Sequence, residues 1–120
     1  MPLQAEHLYK ATNNKRFADA IRPITPTSSG WIITILFYSA LHYVEAYNAK
    51  FNWHFRSHDD LKRDIARNPQ LSKIFEDYSE LLTFSWNARY QPCNYGEDDV
   101  KQARECYDAV VEHITSLLGA

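Results

Sequence analysis

Apolar positions recur along this chain at helical rather than strand spacing. Leu71, Ile74, Phe75, Tyr78, Leu81 and Leu82 follow an i, i+3, i+4 rhythm, and Val100, Ala103, Tyr107, Val110, Ile114 and Leu117 form a second stripe of the same kind. Only three glycines occur, and neither Asn-Gly nor Asp-Gly is present, so the punctuation that hairpins require is missing. The pattern predicts an all-α chain with helices over about 3–21, 29–51, 57–67, 69–90 and 97–118.

The boundaries follow from local chemistry. Pro23 and Pro26 end the first helix, on which Leu8, Ala11, Thr12 and Ala18 recur at helical spacing. The hydroxyls of Thr27, Ser28 and Ser29 supply caps for the second. That helix is apolar on nearly every side, through Ile32, Ile33, Ile35, Leu36, Phe37, Leu41 and Val44, as expected of a central element with neighbours all round. Ser57 with Asp60 reads as the N-cap of the third helix, and Asn68-Pro69 as an N-cap followed by a first-turn proline for the fourth. Pro92 and Gly96 mark the next turn. Glu97, Asp98 and Asp99 then favour the positive end of the last helix dipole, and Gly119 fits its C-cap. The expected architecture is an antiparallel bundle of four to five helices in a single domain.

Composition narrows the picture. A chain of 120 residues and 14.0 kDa suits one domain, and 45% hydrophobic content supplies a core without disulfide staples. Thirteen Lys and Arg against fifteen Asp and Glu give a net charge of -2, which excludes sequence-independent DNA binding by a broadly basic surface. Any nucleic-acid site must be local. Cys93 and Cys106 form no C-x-x-C unit, which excludes a zinc ribbon or a dithiol redox motif and fits a reducing compartment. The apolar run from Trp31 to Phe37 is followed by Ser39, His42 and Glu45 before a membrane-spanning length is reached, and the first residues lack a secretory pattern. A cytoplasmic protein without membrane attachment is expected.

Four polar side chains interrupt the central helix: Thr34, Tyr38, His42 and Glu45 lie on one stripe and must find partners. His54, Arg56 and His58 cluster with Trp53 and Phe55, a mixture of charge and stacking surface of the kind that grips single-stranded nucleotides, or else a solvated loop anchored by its aromatics. The H-x3-H spacing of His54 and His58 would place two metal ligands together only on a continuous helix. Ser57 reads as a cap between them, and no carboxylate or cysteine completes a set, so no metal is expected. Arg89 stands near a helix C-terminus, where the macrodipole alone stabilises a cation. Tyr38, Tyr43, Tyr47, Trp53, Trp86, Tyr90 and Tyr95 add an unusual load of amphipathic aromatics, suited to the core or to an interface.

Phe37-Tyr38-Ser39-Ala40-Leu41-His42, the following Arg56-Ser57-His58, and Asn87-Ala88-Arg89-Tyr90 together resemble prokaryotic HEPN domains (higher eukaryotes and prokaryotes nucleotide-binding) over about residues 31–118. The resemblance implies a bundle of four to five helices, commonly a homodimer with its motif arginines near the interface. It also implies an RNA-linked or nucleotide-linked role in defence or toxin-antitoxin control, with an antitoxin-like protein as a possible partner and no cofactor. Many HEPN members are metal-independent ribonucleases carrying Arg, four to six residues, then His. Here Tyr90-Gln91-Pro92-Cys93-Asn94-Tyr95-Gly96 follows Arg89 and contains no histidine. The resemblance therefore implies a binding module without full nuclease activity. The alternatives are a ribonuclease in which Arg89 works with a histidine from another helix, His42 or His58, and a structural dimerisation or adaptor protein. Arg56, Tyr38, Tyr90 and His54 are the expected ligand-binding neighbours, converging with Arg89, His42 and His58 on one polar cleft.

Overall fold

Helix starts are decided by a few hydroxyls and carboxylates. In the computed structural model, which describes residues 3–119, the chain forms α1 (Gln4–Ala20), α2 (Pro26–Ala49), α3 (His58–Arg67), α4 (Phe75–Tyr90) and α5 (Glu97–Leu118), with a 3-10 turn over Ser72–Ile74. No strand occurs among the described residues.

The central helix α2 begins at Pro26, earlier than the Thr27-Ser28-Ser29 cluster had indicated. Thr25 and Ser28 cap each other: Thr25 Oγ1 accepts from the Ser28 amide at 3.1 Å, and Ser28 Oγ accepts from the Thr25 amide at 3.0 Å. Pro26 then occupies the first helical position, where its missing N–H leaves nothing unsatisfied. Ser57 caps α3 as expected, accepting from the Asp60 amide at 3.2 Å. Asn68 does not start the fourth helix. Its amide donates to the Asp64 carbonyl at 2.8 Å and so closes α3, while its side-chain oxygen accepts from the Gln70 amide at 2.9 Å. That local side-chain bond holds Pro69 in a turn, and α4 starts only at Phe75. The last helix has the caps its sequence predicts: Asp99 accepts from the Gly96 amide at 3.0 Å, and Gly119 takes the left-handed conformation with φ 77°.

The result is an all-α helical bundle with α2 packed against α1, α4 and α5. Ile32, Ile33, Leu36, Phe37, Ala40 and Val44 of α2 are wholly shielded, and Ile35 is nearly so, as expected for the central element. Burying a side chain of this size stabilises the fold by about 1.5–3 kcal/mol, so this one helix supplies a large part of the hydrophobic drive. Tyr78 and Leu81 from α4, with Val100, Ala103, Val110 and Ile114 from α5, complete the core.

On α1 the buried positions are His7, Ala11 and Ala18, while Leu8 is half-buried and Thr12 is exposed. The Thr12 hydroxyl bonds back to the Leu8 carbonyl at 3.0 Å. One polar knot joins three helices: Ser39 Oγ donates to the Ala11 carbonyl at 2.7 Å and lies 2.9 Å from the Tyr107 hydroxyl. Among the described residues, no helix is long and apolar enough to cross a membrane.

Candidate anion-binding site

Arg89 leaves the last turn of α4 and reaches across to α2. Its Nη1 donates to the Tyr38 hydroxyl. The guanidinium carbon stands 5.2 Å from the Tyr38 ring centre, 5.4 Å from that of Tyr90 and 5.9 Å from that of Phe37. Aromatic faces of this kind stabilise a cation without neutralising it. Nε is buried without a hydrogen-bond partner, and no carboxylate forms an ion pair with Arg89 among the described residues. A half-buried arginine held by rings and a neutral hydroxyl retains guanidinium donors for an anion.

Two clefts meet at this arginine. One, of about 490 Å³, is lined by Ser57, His58, Asp59, Leu82, Thr83, Trp86 and Arg89. The other, of about 320 Å³, runs along Thr27, Trp31, Thr34 and Tyr95. His58 is the first residue of α3, and its ring centre lies 5.7 Å from Phe37 and 6.5 Å from Tyr38. The first residues of α3 therefore line the same cleft as the guanidinium, and the positive end of a helix dipole favours an anion. Asp59 contributes opposing charge at the rim. Trp86 and Tyr90, 47% and 64% exposed with ring centres 5.3 Å apart, form an aromatic ledge beside it.

The single cleft expected from sequence is divided. Tyr38, His58, Arg89 and Tyr90 are brought together. Arg56 and His54 line a separate groove of about 560 Å³ with Arg63 and Arg67, where Asp60 and Asp64 offset part of the positive charge and Asp60 pairs with Arg63 at 2.5 Å. His42 turns to α1 and lines neither cleft beside Arg89. Its Nδ1 is 3.1 Å from Nδ1 of His7, which in turn is 3.2 Å from Glu45 Oε2. Burial, with the charges of His7 and Lys10 adding to it, pushes the His42 pKa down to about 4. Burial and the nearby His54 also lower that of His7, against the pull of Glu6, while burial raises that of Glu45.

The polar stripe on α2 thus finds three kinds of partner. Thr34 bonds to the Gly30 carbonyl at 2.9 Å, Tyr38 to Arg89, and His42 and Glu45 to His7. The residue that sequence reasoning missed is His7. Its signal was present, since it lies one turn before Ala11 on the face that also carries Ala18, but a histidine does not register in a stripe defined by apolar residues. No family model, curated protein or solved structure matches this chain.

Proposed function

We propose that this chain is a HEPN-like RNA- or nucleotide-associated module in which Arg89 holds a phosphate. The observation that carries the reading is the Arg89 guanidinium itself: half-buried, without a carboxylate partner among the described residues, and lining a cleft with exposed stacking surface at its edge. A phosphate at the outer Nη edge of the guanidinium would gain charge-assisted bonds, and a base would stack on Trp86 and Tyr90. The chain's net charge of -2 favours such a local site over a long electrostatic track.

A second reading is favoured by one observation: an imidazole, His58, lines the Arg89 cleft. Metal-independent RNA cleavage requires a proton carrier near the attacking 2′-hydroxyl and a cation on the phosphate, and His58 with Arg89 supplies that pair of chemical types. His42, turned to α1, is the weaker choice. Exposed Trp31, Trp86 and Tyr90 around the same arginine support the proposal of a homodimer closing over it. A toxin-antitoxin or defence setting, with an antitoxin-like partner, belongs to the same proposal; a structural dimerisation or adaptor role is its rival.

The test is fluorescence anisotropy with labelled single-stranded RNA and with a nucleotide, followed by incubation in chelator and analysis of product ends. Binding that Arg89→Ala abolishes supports the module, and cyclic phosphate ends that His58→Gln removes select the ribonuclease. No binding to either probe leaves the adaptor reading.

A further inference from the structure

His7, His42 and Glu45 bring three potential metal donors to one place from two helices. His42 and Glu45 are three residues apart on α2 and so share a face, and His7 meets them from the second turn of α1. The donor atoms all lie within 4.8 Å of one another. Metal bonds of about 2.0–2.2 Å place two donors on a tetrahedral ion about 3.3–3.6 Å apart. The observed separations of 3.1 Å for His7–His42 and 3.2 Å for His7–Glu45 are near that spacing.

A hydrogen-bond account of the cluster is incomplete. Nδ1 of His7 carries at most one proton, yet it faces both a second imidazole nitrogen and a carboxylate oxygen. That single ring site completes only one linear hydrogen bond, so one of its two neighbours goes unserved, whereas a cation would engage all three donors. The surroundings agree. His7 is buried, so its imidazole is held in place by the packing of α1 on α2. Among the described residues Glu45 pairs with no Lys or Arg, and its side chain is 32% exposed, which leaves a solvent-facing side for a further ligand. Lys10 and His54 are the nearby groups of opposing charge, and Lys10 is exposed.

We propose that His7, His42 and Glu45 form a three-ligand site for a divalent first-row transition metal of the zinc type, with an open fourth position, and that the ion ties the start of α1 to α2. The two-histidine, one-carboxylate set with an open position is one that zinc and non-haem iron both accept. The site lies apart from Arg89 and stands independently of the phosphate reading.

The metal-free 120-residue chain titrated with zinc chloride in a calorimeter should bind one ion per chain. His42→Gln and Glu45→Gln should each weaken it by more than about tenfold, at least the loss expected when even an outer-shell partner of a metal ligand is removed. His113→Gln, remote from the cluster and bonded to the Gln70 carbonyl at 2.6 Å, controls for adventitious histidine binding and should change nothing. Zinc absorption spectra of the unaltered protein should show two imidazoles and one carboxylate, a readout that does not depend on any variant folding. No zinc binding, binding insensitive to both cluster variants, an equal loss in His113→Gln, or a coordination shell without imidazole would each overturn the proposal.

Discussion

Arg89 donates to the hydroxyl of Tyr38, joining the end of α4 to the middle of α2 across 51 positions of sequence. The bond links a fixed cation to a neutral acceptor, so it orients the guanidinium without discharging it. Tyr38→Phe keeps the ring beneath the cation and should change RNA affinity by less than about threefold, whereas Arg89→Ala should lower it by more than about tenfold. The stability cost of Arg89→Ala is set at about 1.5–3 kcal/mol by the one hydrogen bond lost, whose donor is charged. Anisotropy and urea unfolding on the same samples separate the two effects. A variant that unfolds instead would identify Arg89 as a structural residue.

The Ser39 hydroxyl should behave as a shared tether of α1, α2 and α5. Ser39→Ala strands a buried Tyr107 hydroxyl and is expected to cost about 1–3 kcal/mol. Tyr107→Phe removes the same partner from the other side, so the double variant should cost clearly less than the sum of the two singles. Additive losses in urea denaturation would show that the two hydroxyls do not depend on each other.

The two thiols should react in a fixed order. Cys106 is 3% exposed, and burial, with hydrogen bonding to Glu80 beside it, pushes its pKa up to about 12. Cys93 is half-buried in the loop after α4. A thiol reagent followed by mass spectrometry of the native protein should therefore label Cys93 first and Cys106 only as the chain unfolds, because the thiolate is the reacting form. Equal labelling of both under native conditions would contradict the packing of α5 on α4.

What could be read in the sequence was what repeats. The stripes on α4 and α5 and the apolar girth of α2 are periodic over many residues, and their positions in the fold follow. The start of α4 was misplaced because Asn68-Pro69 satisfies a helix-start pattern and a turn pattern equally, and only the Asn68–Gln70 bond decides between them. The candidate site was legible in its residue types but not in its partition. Tyr38 and His42 are one turn apart on α2, so spacing alone assigns them to one face, yet Tyr38 meets α4 while His42 meets α1. Neighbours on a central helix are sorted by the helices that cover it, information that no local pattern contains. The convergence of His7 with His42 and Glu45 is likewise a long-range fact that no local spacing contains.

Stability should depend on pH through Asp19. Burial pushes its pKa up, but bonds from Lys15 at 2.6 Å and Arg104 at 2.7 Å outweigh that and hold it below the usual carboxylate range. The folded-state pKa is thus lower than the unfolded one, so the contribution is complete above the unfolded pKa and is lost as pH falls through the folded pKa. The Asp19 side chain is 45% exposed, and solvent screening limits the effect of Asp19→Asn at neutral pH to under about 1 kcal/mol. The gap between wild type and variant should close below about pH 4 and also shrink in high salt. A gap that widens on acidification would reverse the assigned sign.

Trp86 distinguishes a nucleotide site from a simple anion site. Its ring is 47% exposed and lies against Tyr90 at the edge of the cleft that Arg89 and His58 line. Inorganic phosphate would use only the guanidinium, whereas a nucleotide would add a base on the aromatic ledge. Stacking of one base contributes about 1–3 kcal/mol, so Trp86→Leu should weaken RNA or nucleotide binding by roughly 5–150-fold. The same substitution should leave the affinity for inorganic phosphate nearly unchanged, because no charged group is lost. Nucleotide should also quench tryptophan fluorescence in the wild type and much less in Trp86→Leu, where Trp31 and Trp53 remain. Equal losses for phosphate and nucleotide would mean that Trp86 shapes the cleft rather than stacking a base. An unchanged nucleotide affinity would move the base, and with it the nucleotide-binding surface, away from this ledge.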